Sequence, residues 1–409
     1  MLVERTFWPV GHGGFFSERI FWDKPHSCVT VVYDCGTLRH RTLCHERIDA
    51  FLHPRRFYKF IDYTQHISNK NTRLHFPPYD IWHPRYTDYS SIECIDILFI
   101  THFDDDHINC IAHLAKHVDI KNVIIPYFDD YDLLYLHAEK GSLLPNSTAD
   151  IQAALGLPRS TNIYRILPET GLDDSVNNYT SNDPRWVELG EVNNSDTTIH
   201  SRTQLYLPNS PDWFWAVFNY DRPHNTPRIR KEIRALLIAE GADPDDLNYL
   251  INRLDNRDIK KKINTIYGSS ADKNNGSLVI FSGANYASHV PIYLSNPLSH
   301  NYLHIHYIGG CGFSYMGDYD SKSRARLDAY LDFISPYKKQ LSGIQVPHHG
   351  SSHNFSPEIL KGIQWSIAAV PNENTKHPNT TVWTQMNLHG FAFCIDESND
   401  SLLMQYFKV

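Results

Sequence analysis

The sequence predicts an α/β chain, of the α+β kind, whose strands deliver polar loops to one edge. Three observations carry that expectation. Four apolar runs end abruptly in polar clusters, one of these clusters is followed by a helically spaced segment and a further strand, and residues 222–268 carry helix start and stop residues.

In chain order, Cys28-Val-Thr-Val-Val-Tyr33 reads as a strand running into Asp34-Cys35-Gly36, and Ile95-Asp-Ile-Leu-Phe-Ile-Thr101 as a strand running into His102-Phe-Asp-Asp-Asp-His107. Apolar residues recur at helical spacing from Ile108 to His117, and Val123-Ile-Ile-Pro126 reads as the next strand. Residues 127–221 are a divergent segment in which only the aromatic run Trp213 to Phe218 reads clearly, as a buried strand. Between 222 and 268, Thr226-Pro227 and Asp243-Pro244 each resemble an N-cap followed by proline, while Gly241 and Gly268 resemble helix stops, so this stretch reads as a helical insertion. Its basic residues, Lys260, Lys261 and Lys262 among them, are interleaved with acids and read as solvated helix faces. Asn274-Asn275-Gly276 then leads into the strand Ser277-Leu-Val-Ile-Phe281, and Ile344-Gln-Val-Pro347 runs into His348-His349-Gly350-Ser351.

The 409 residues suffice for a large core, and 41% apolar with 13% aromatic residues argues against disorder. No long apolar run marks a leader or a membrane span, and seven scattered cysteines without a C-x-x-C give no disulfide framework, which together point to a reducing cytoplasm. The net charge of −8 excludes nucleic-acid binding by bulk charge, so a polyphosphate would need metal ions or a local basic patch.

His102-x-Asp104-x-Asp106-His107 packs four metal-ligand side chains into six residues at a strand end. Residues 102 and 104 can turn toward one cation and 106 and 107 toward a neighbour. Without a cation, so many converging acids and imidazoles would shift one another's pKa values.

This motif resembles the metal-binding motif of the metallo-β-lactamase superfamily, in the variant with Asp as second ligand found in the soluble hydrolase domain of ComEC competence-type proteins. The resemblance continues in order through Val10-Gly11-His12-Gly13, Asp34-Cys35-Gly36, Asn274 to Val279, Met316-Gly317-Asp318, Val346 to Ser351 and Asn374-Thr-Lys-His377-Pro378, and covers about 1–126 and 274–409. It departs at Gly14, where the family usually has an acid, and at Asn109-Cys110, where a glycine pair is usual. The membrane channel of the competence proteins is absent from this sequence, so only the hydrolase is implied.

The resemblance implies an αββα metallo-β-lactamase sandwich carrying the helical insertion. It implies that His102 and Asp104 hold one metal and Asp106 and His107 the other, with Asp318 bridging. One of His348 and His349 completes the first site and the other is left to face substrate. Asp34 orients a ligand histidine or is a turn residue; His377 contacts a phosphate or protonates a leaving group, or is a turn histidine. His12 reads as structural. Asn275, Ser277 and Ser351 are candidate substrate contacts, and Asp106 and His377 the catalytic candidates.

The oxygen-rich ligand set favours Mn²⁺, with Zn²⁺ the other choice, at two ions per chain. The expected chemistry is hydrolysis by a metal-bound hydroxide, on a phosphodiester such as DNA or RNA. The alternatives are a small-molecule ester, lactone or phosphodiester hydrolase, and a metal-stabilised regulatory subunit whose active edge is covered by residues 127–270 or by a protein partner. No membrane partner is expected.

Overall fold

A computed structural model describes residues 1–22, 28–54, 91–140, 148–169, 186–190, 196–210, 212–220, 226–268, 277–286, 289–295, 304–371 and 376–409. Runs rich in Val, Ile, Phe, Tyr and Trp form the strands, because branched and aromatic side chains fit a pleated, buried surface. In chain order these are β1 (Leu2–Phe7), β2 (Phe16–Phe21), β3 (Cys28–Tyr33), β4 (Cys94–Phe99), β5 (Asp119–Pro126), β6 (Asn162–Leu167), β7 (Trp186–Glu188), β8 (Asp196–His200), β9 (Gln204–Tyr206), β10 (Trp213–Phe218), β11 (Val279–Ala284), β12 (His289–Ser295), β13 (His304–Gly310), β14 (Gly312–Tyr315), β15 (Leu341–Gln345), β16 (Trp365–Ala369), β17 (Phe391–Ile395) and β18 (Leu403–Lys408).

Among the described residues they make two mixed sheets. The first has the order β13-β12-β18-β1-β2-β3-β4-β5-β6-β8, the second β17-β16-β15-β14-β11-β10-β9-β7. In each, an antiparallel part continues into a parallel one. In the first sheet β2 pairs antiparallel with β3, and β3, β4, β5, β6 and β8 then run parallel; in the second, β11 pairs antiparallel with β14, and β14, β15, β16 and β17 run parallel.

One apolar cluster lies between the sheets and includes Phe7, Tyr33, Trp215, Tyr315 and Trp365. At its centre Arg5 and Glu18 are both fully buried. Arg5 donates through Nε to Glu18 at 2.5 Å, and through its other nitrogens to the carbonyls of Cys311 and Ser282 and to Gln405. Glu18 also accepts from the hydroxyls of Tyr33, Ser282 and Tyr315. Every strong polar group of this pair therefore has a partner, and the pair ties the first sheet to the second.

Helices cover both outer faces. On the first sheet lie α1 (Arg41–Leu52), α2 (Asp105–Ile108), α3 (Ile111–Ala115), α4 (Asp130–Lys140), α5 (Thr148–Leu155), α6 (Pro227–Ala239), α7 (Leu247–Ile251) and α8 (Arg257–Tyr267), sharing one apolar cluster. On the second lie α9 (Arg324–Ile334) and α10 (Thr380–His389), with their own cluster. The architecture is thus α+β, built on two large mixed sheets.

The described residues 226–268 of the expected helical insertion form three helices, with one start shifted from its expected place. Thr226 caps α6, its hydroxyl accepting from Ile229 N–H with Pro227 following, and Gly268, at φ +89°, closes α8. Asp243-Pro244 starts no helix: the Asp243 carboxylate accepts from Asp245 N–H, making an Asx turn, and α7 begins after Asp246. The helical run expected over 108–117 is broken into α2 and α3 because the Asn109 side chain clasps Thr37, accepting from its N–H and donating to its carbonyl.

No helix among the described residues is long and apolar enough to cross a membrane.

Candidate metal centre

The carboxyl ends of parallel strands place the chemistry, as is general for ligand sites in open α/β sheets. β3 ends in Asp34, β4 runs through Thr101 into residues 102–107, β14 ends at Met316-Gly317-Asp318, and β15 runs through Pro347 into His348-His349. Leu278 N–H donates to the Thr101 carbonyl and joins the two sheets at this edge, while His348 N–H donates to the Gly317 carbonyl and joins the loops after β14 and β15 of the second sheet. Asp34, His348 and His349 adopt left-handed backbone at φ +53°, +47° and +55°, a strained choice for residues with a Cβ. Such strain persists only where the surroundings hold it, and here it directs His348 and His349 toward different oxygens of Asp318 and Asp34 toward His107.

The side chains gather in two groups. In the first, His102 Nε2 stands 3.8 Å from Asp104 Oδ2 and 3.6 Å from Asp318 Oδ2, and His348 Nε2 is 3.8 Å from that same Asp318 oxygen. In the second, Asp106 Oδ2 lies 3.2 Å from His349 Nε2, 3.8 Å from His107 Nε2 and 3.7 Å from His12 Nε2. Asp318 faces both, its Oδ1 lying 3.6 Å from His107 Nε2 and 3.9 Å from His349 Nε2. Ligand atoms of His102, His107 and Asp318, of His102, Asp104 and Asp106, and of His12, Asp106 and His349 each fall within 4.8 Å of one another.

Most of these separations exceed a hydrogen bond, whose N···O distance is about 2.7–3.2 Å. They lie near the roughly 3–3.5 Å between two ligands each about 2.1 Å from one ion. His102 Nε2 and His107 Nε2 are buried with no hydrogen-bond partner among the described residues. Such orphaned nitrogens are costly unless something else takes their lone pairs. These buried groups can hold a metal ion.

The opposite ring nitrogens are already committed. His107 Nδ1 meets Asp34 Oδ2 at 2.8 Å, His102 Nδ1 meets the Thr101 hydroxyl at 3.0 Å, His348 Nδ1 meets Asn354 Oδ1 at 2.9 Å, and His349 Nδ1 meets the Ala369 carbonyl at 2.8 Å. Each bond fixes its ring and leaves Nε2 directed inward. Asp34 is itself held by Thr101, which donates to it through N–H and hydroxyl, both at 2.8 Å. Asp34 thus fixes the ring of His107.

These side chains shift one another's pKa values. Burial opposes charging His107, but Asp34, Asp106 and Asp318 outweigh it and hold its pKa well above the ordinary value. His349 is raised for the same reason, against burial, by Asp106 and Asp318. Burial pushes the Asp106 and Asp318 pKa values up, yet the histidines beside them win and depress both. At the rim the order reverses: burial, then the neighbouring His349, lowers His12 to about 4, and burial with His349 and His348 lowers His377.

The structure brings His102, Asp104, Asp106, His107, Asp318, His348 and His349 together, and sends His348 to the first group. His349 belongs to the second group instead of being left to face substrate, because the left-handed turn at both histidines points their rings to opposite sides of Asp318. His12, read as structural, stands at the second group; its only signal in the sequence was a glycine-flanked turn. Ser277 is buried and accepts from Asp318 N–H at 3.1 Å, so it supports the candidate bridge and is not open to a substrate. Ser351 is also buried, its hydroxyl accepting from His353 N–H. Asn275 lies outside the described residues. His377 sits at the edge, its ring 6.2 Å from that of His12 and 6.5 Å from that of His348, with Nδ1 buried and without a hydrogen-bond partner among the described residues.

Both departures from the resembled motif have local reasons. A Cβ at Gly14 would come within 2.9 Å of Asp34 Cβ and 3.3 Å of His107 Nδ1, so a side chain there would collide with the Asp34–His107 pair. Asn109 supplies the Thr37 clasp.

Compared with protein-family models and with curated proteins, the chain matches none.

Proposed function

We propose that this chain is a metal-dependent hydrolase of the metallo-β-lactamase type, similar to the soluble hydrolase domain of ComEC competence-type proteins, acting on phosphodiesters and foremost on nucleic acids. The observation that carries the reading is the pair of ligand groups joined by one carboxylate, each Asp318 oxygen facing a different histidine set. The layering of helices, two sheets and helices supports an αββα sandwich of that type.

His102, Asp104 and His348 would hold one divalent ion, Asp106, His107 and His349 the other, with Asp318 between them; Mn²⁺ and Zn²⁺ both suit these donors. Two such ions, when bound, acidify a water and neutralise charge on phosphodiester oxygens. The chain's own residues do the rest. Asp34 and Thr101 keep His107 in one tautomer and orientation. Asp318, positioned by Ser277, holds the two groups at fixed separation. His377, kept neutral by burial and its cationic neighbours, donates a hydrogen bond to a phosphate oxygen at the rim.

Chelator-stripped protein reloaded with Mn²⁺, Mg²⁺ or Zn²⁺ should turn over one or more of single-stranded DNA, double-stranded DNA, RNA and a bis-aryl phosphodiester. Elemental analysis should find two equivalents of metal per chain. Fewer than one equivalent with every ion, or no turnover of any diester, would overturn the proposal.

A further inference from the structure

His12 has no part in the ligand sets proposed above, yet the fold builds a place for it beside one of them. Its Nε2 stands 3.7 Å from Asp106 Oδ2, and His349 Nε2 lies 3.2 Å from that same oxygen. The His12 and His349 ring centres are 4.2 Å apart with their planes tilted by 56°, so the rings do not stack face to face. Ligand atoms of His12, Asp106 and His349 all fall within 4.8 Å of one another.

The backbone around His12 is pinned from two sides. Its carbonyl accepts from Leu38 N–H at 2.8 Å and from the Thr37 hydroxyl at 3.3 Å, and Gly14 N–H donates to the Asp106 carbonyl at 3.0 Å. A Cβ at Gly13 would come within 2.3 Å of the Gly36 carbonyl oxygen and 2.7 Å of that of Asp106, so glycine there lets the loop lie directly on the turn that carries Asp106. The His12 side chain is 23% exposed and that of His349 only 2%, which puts His12 on the solvent side of the centre.

We propose that His12 is a further protein ligand of the ion held by Asp106, His107 and His349, and that it makes this the position a borderline ion such as Zn²⁺ fills first. The proposal rests on the metal-centre reading given above. Without His12 the two positions have the same donors: His102, His348 and Asp104 at one, His107, His349 and Asp106 at the other, with Asp318 shared. A third imidazole makes them unequal, and imidazole suits Zn²⁺ where carboxylate suits Mn²⁺. Donors roughly 2.1 Å from one ion stand about 3–3.5 Å apart, near the two separations from Asp106 Oδ2.

Titration of the stripped full chain with Zn²⁺ against a chromophoric chelator, together with the visible spectrum of the Co²⁺-loaded protein, tests it. His12→Ala keeps the backbone carbonyl that Leu38 and Thr37 hold, so the loop is retained. In that variant the tighter Zn²⁺ equivalent should weaken by at least about 10-fold, the other should be unchanged and the Co²⁺ bands should shift. Free imidazole, with the parent at the same imidazole concentration as reference, should restore both by filling the vacated space. Identical affinities and spectra in parent and variant would overturn the proposal. A loss that imidazole does not repair would also overturn it, since His12 would then only support the loop, and weakening of the looser equivalent would overturn the order of filling. A parent that binds less than one equivalent would overturn the metal-centre reading itself, and this proposal with it, an outcome distinct from equal binding by parent and variant.

Discussion

Asp318 is the residue on which both groups of candidate ligands converge, and in the proposed role it has no neutral substitute. In Asp318→Asn, one oxygen becomes an amide donor facing His102, His107, His348 and His349, so metal content should fall by at least one equivalent and diester hydrolysis should drop on the order of 10³-fold or more. Ser351→Ala removes only an acceptor for His353 N–H and should leave metal content unchanged. Comparable losses in the two variants, measured by elemental analysis and turnover, would contradict the ligand assignment. His377 makes a different prediction, because it reaches the rim without joining either group. His377→Ala should keep the parent's metal content and lose roughly 10²-fold in kcat. A loss equal for alkyl and aryl leaving groups fits a donor to a phosphate oxygen; a loss confined to poor leaving groups would make His377 a general acid instead. Loss of an ion would make it a ligand.

At the scale of elements, the insertion's basic helix separates into two faces. Lys262 bonds Glu240 at 2.9 Å and Arg253 meets the same carboxylate at 3.3 Å, so these charges are spent within the insertion. Arg257, Lys260 and Lys261 instead line an open cavity of about 590 Å³ with Asn264, Thr265 and Gly268. If a nucleic-acid backbone tracks this helix, replacing Arg257, Lys260 and Lys261 together by Ala should weaken binding and reduce the slope of log K against log salt by about 1 for each phosphate no longer neutralised. Hydrolysis of a small diester should be unchanged, and Lys262→Ala should have no effect on binding. Unaltered binding in the triple variant would leave these residues as solvated charges.

For the whole molecule, the buried Arg5–Glu18 pair and the metal-free cluster set stability in separate ways. Arg5→Met leaves the Glu18 carboxyl buried between two sheets without its cationic partner, and should cost about 3–5 kcal/mol in chemical denaturation. A loss below about 1 kcal/mol would mean that the pair is dispensable. The cluster predicts a pH dependence whose sign depends on metal. In the stripped protein, the raised His107 and His349 contribute stability that is fully present below their ordinary value of 6.5 and lost as pH rises through the raised values. The depressed Asp106 and Asp318 contribute stability present above their ordinary value of 3.8 and lost as pH falls through the depressed values. Stripped protein should therefore be most stable between about pH 4 and 6.5. Metal needs neutral imidazoles, so the rise in Tm on reloading should grow from about pH 5.5 to about pH 8.5. Thermal melts of both forms at the two pH values decide it; an equal or shrinking rise would contradict a histidine-ligated site.

The α+β class, the strands ending at Asp34, His102 and His348 and the helical insertion were legible in the sequence, because period, branching and capping are local properties of consecutive residues. So was the 102–107 run of candidate ligands, whose members are neighbours in the chain. What only the tertiary structure decided is whatever depends on residues far apart in sequence meeting at one edge. The division of His348 and His349 between two groups comes from left-handed backbone imposed by packing, which no residue type there announces. His12 joins Asp106 across 94 positions, and Ser277 turned out to be a support for Asp318 because β11 and β14 are paired. Arg5 and Glu18 lie within consecutive polar runs, Glu4-Arg5-Thr6 and Ser17-Glu18-Arg19, that do not read as buried strand; they are buried because the second sheet covers them, a fact that no window of local sequence contains.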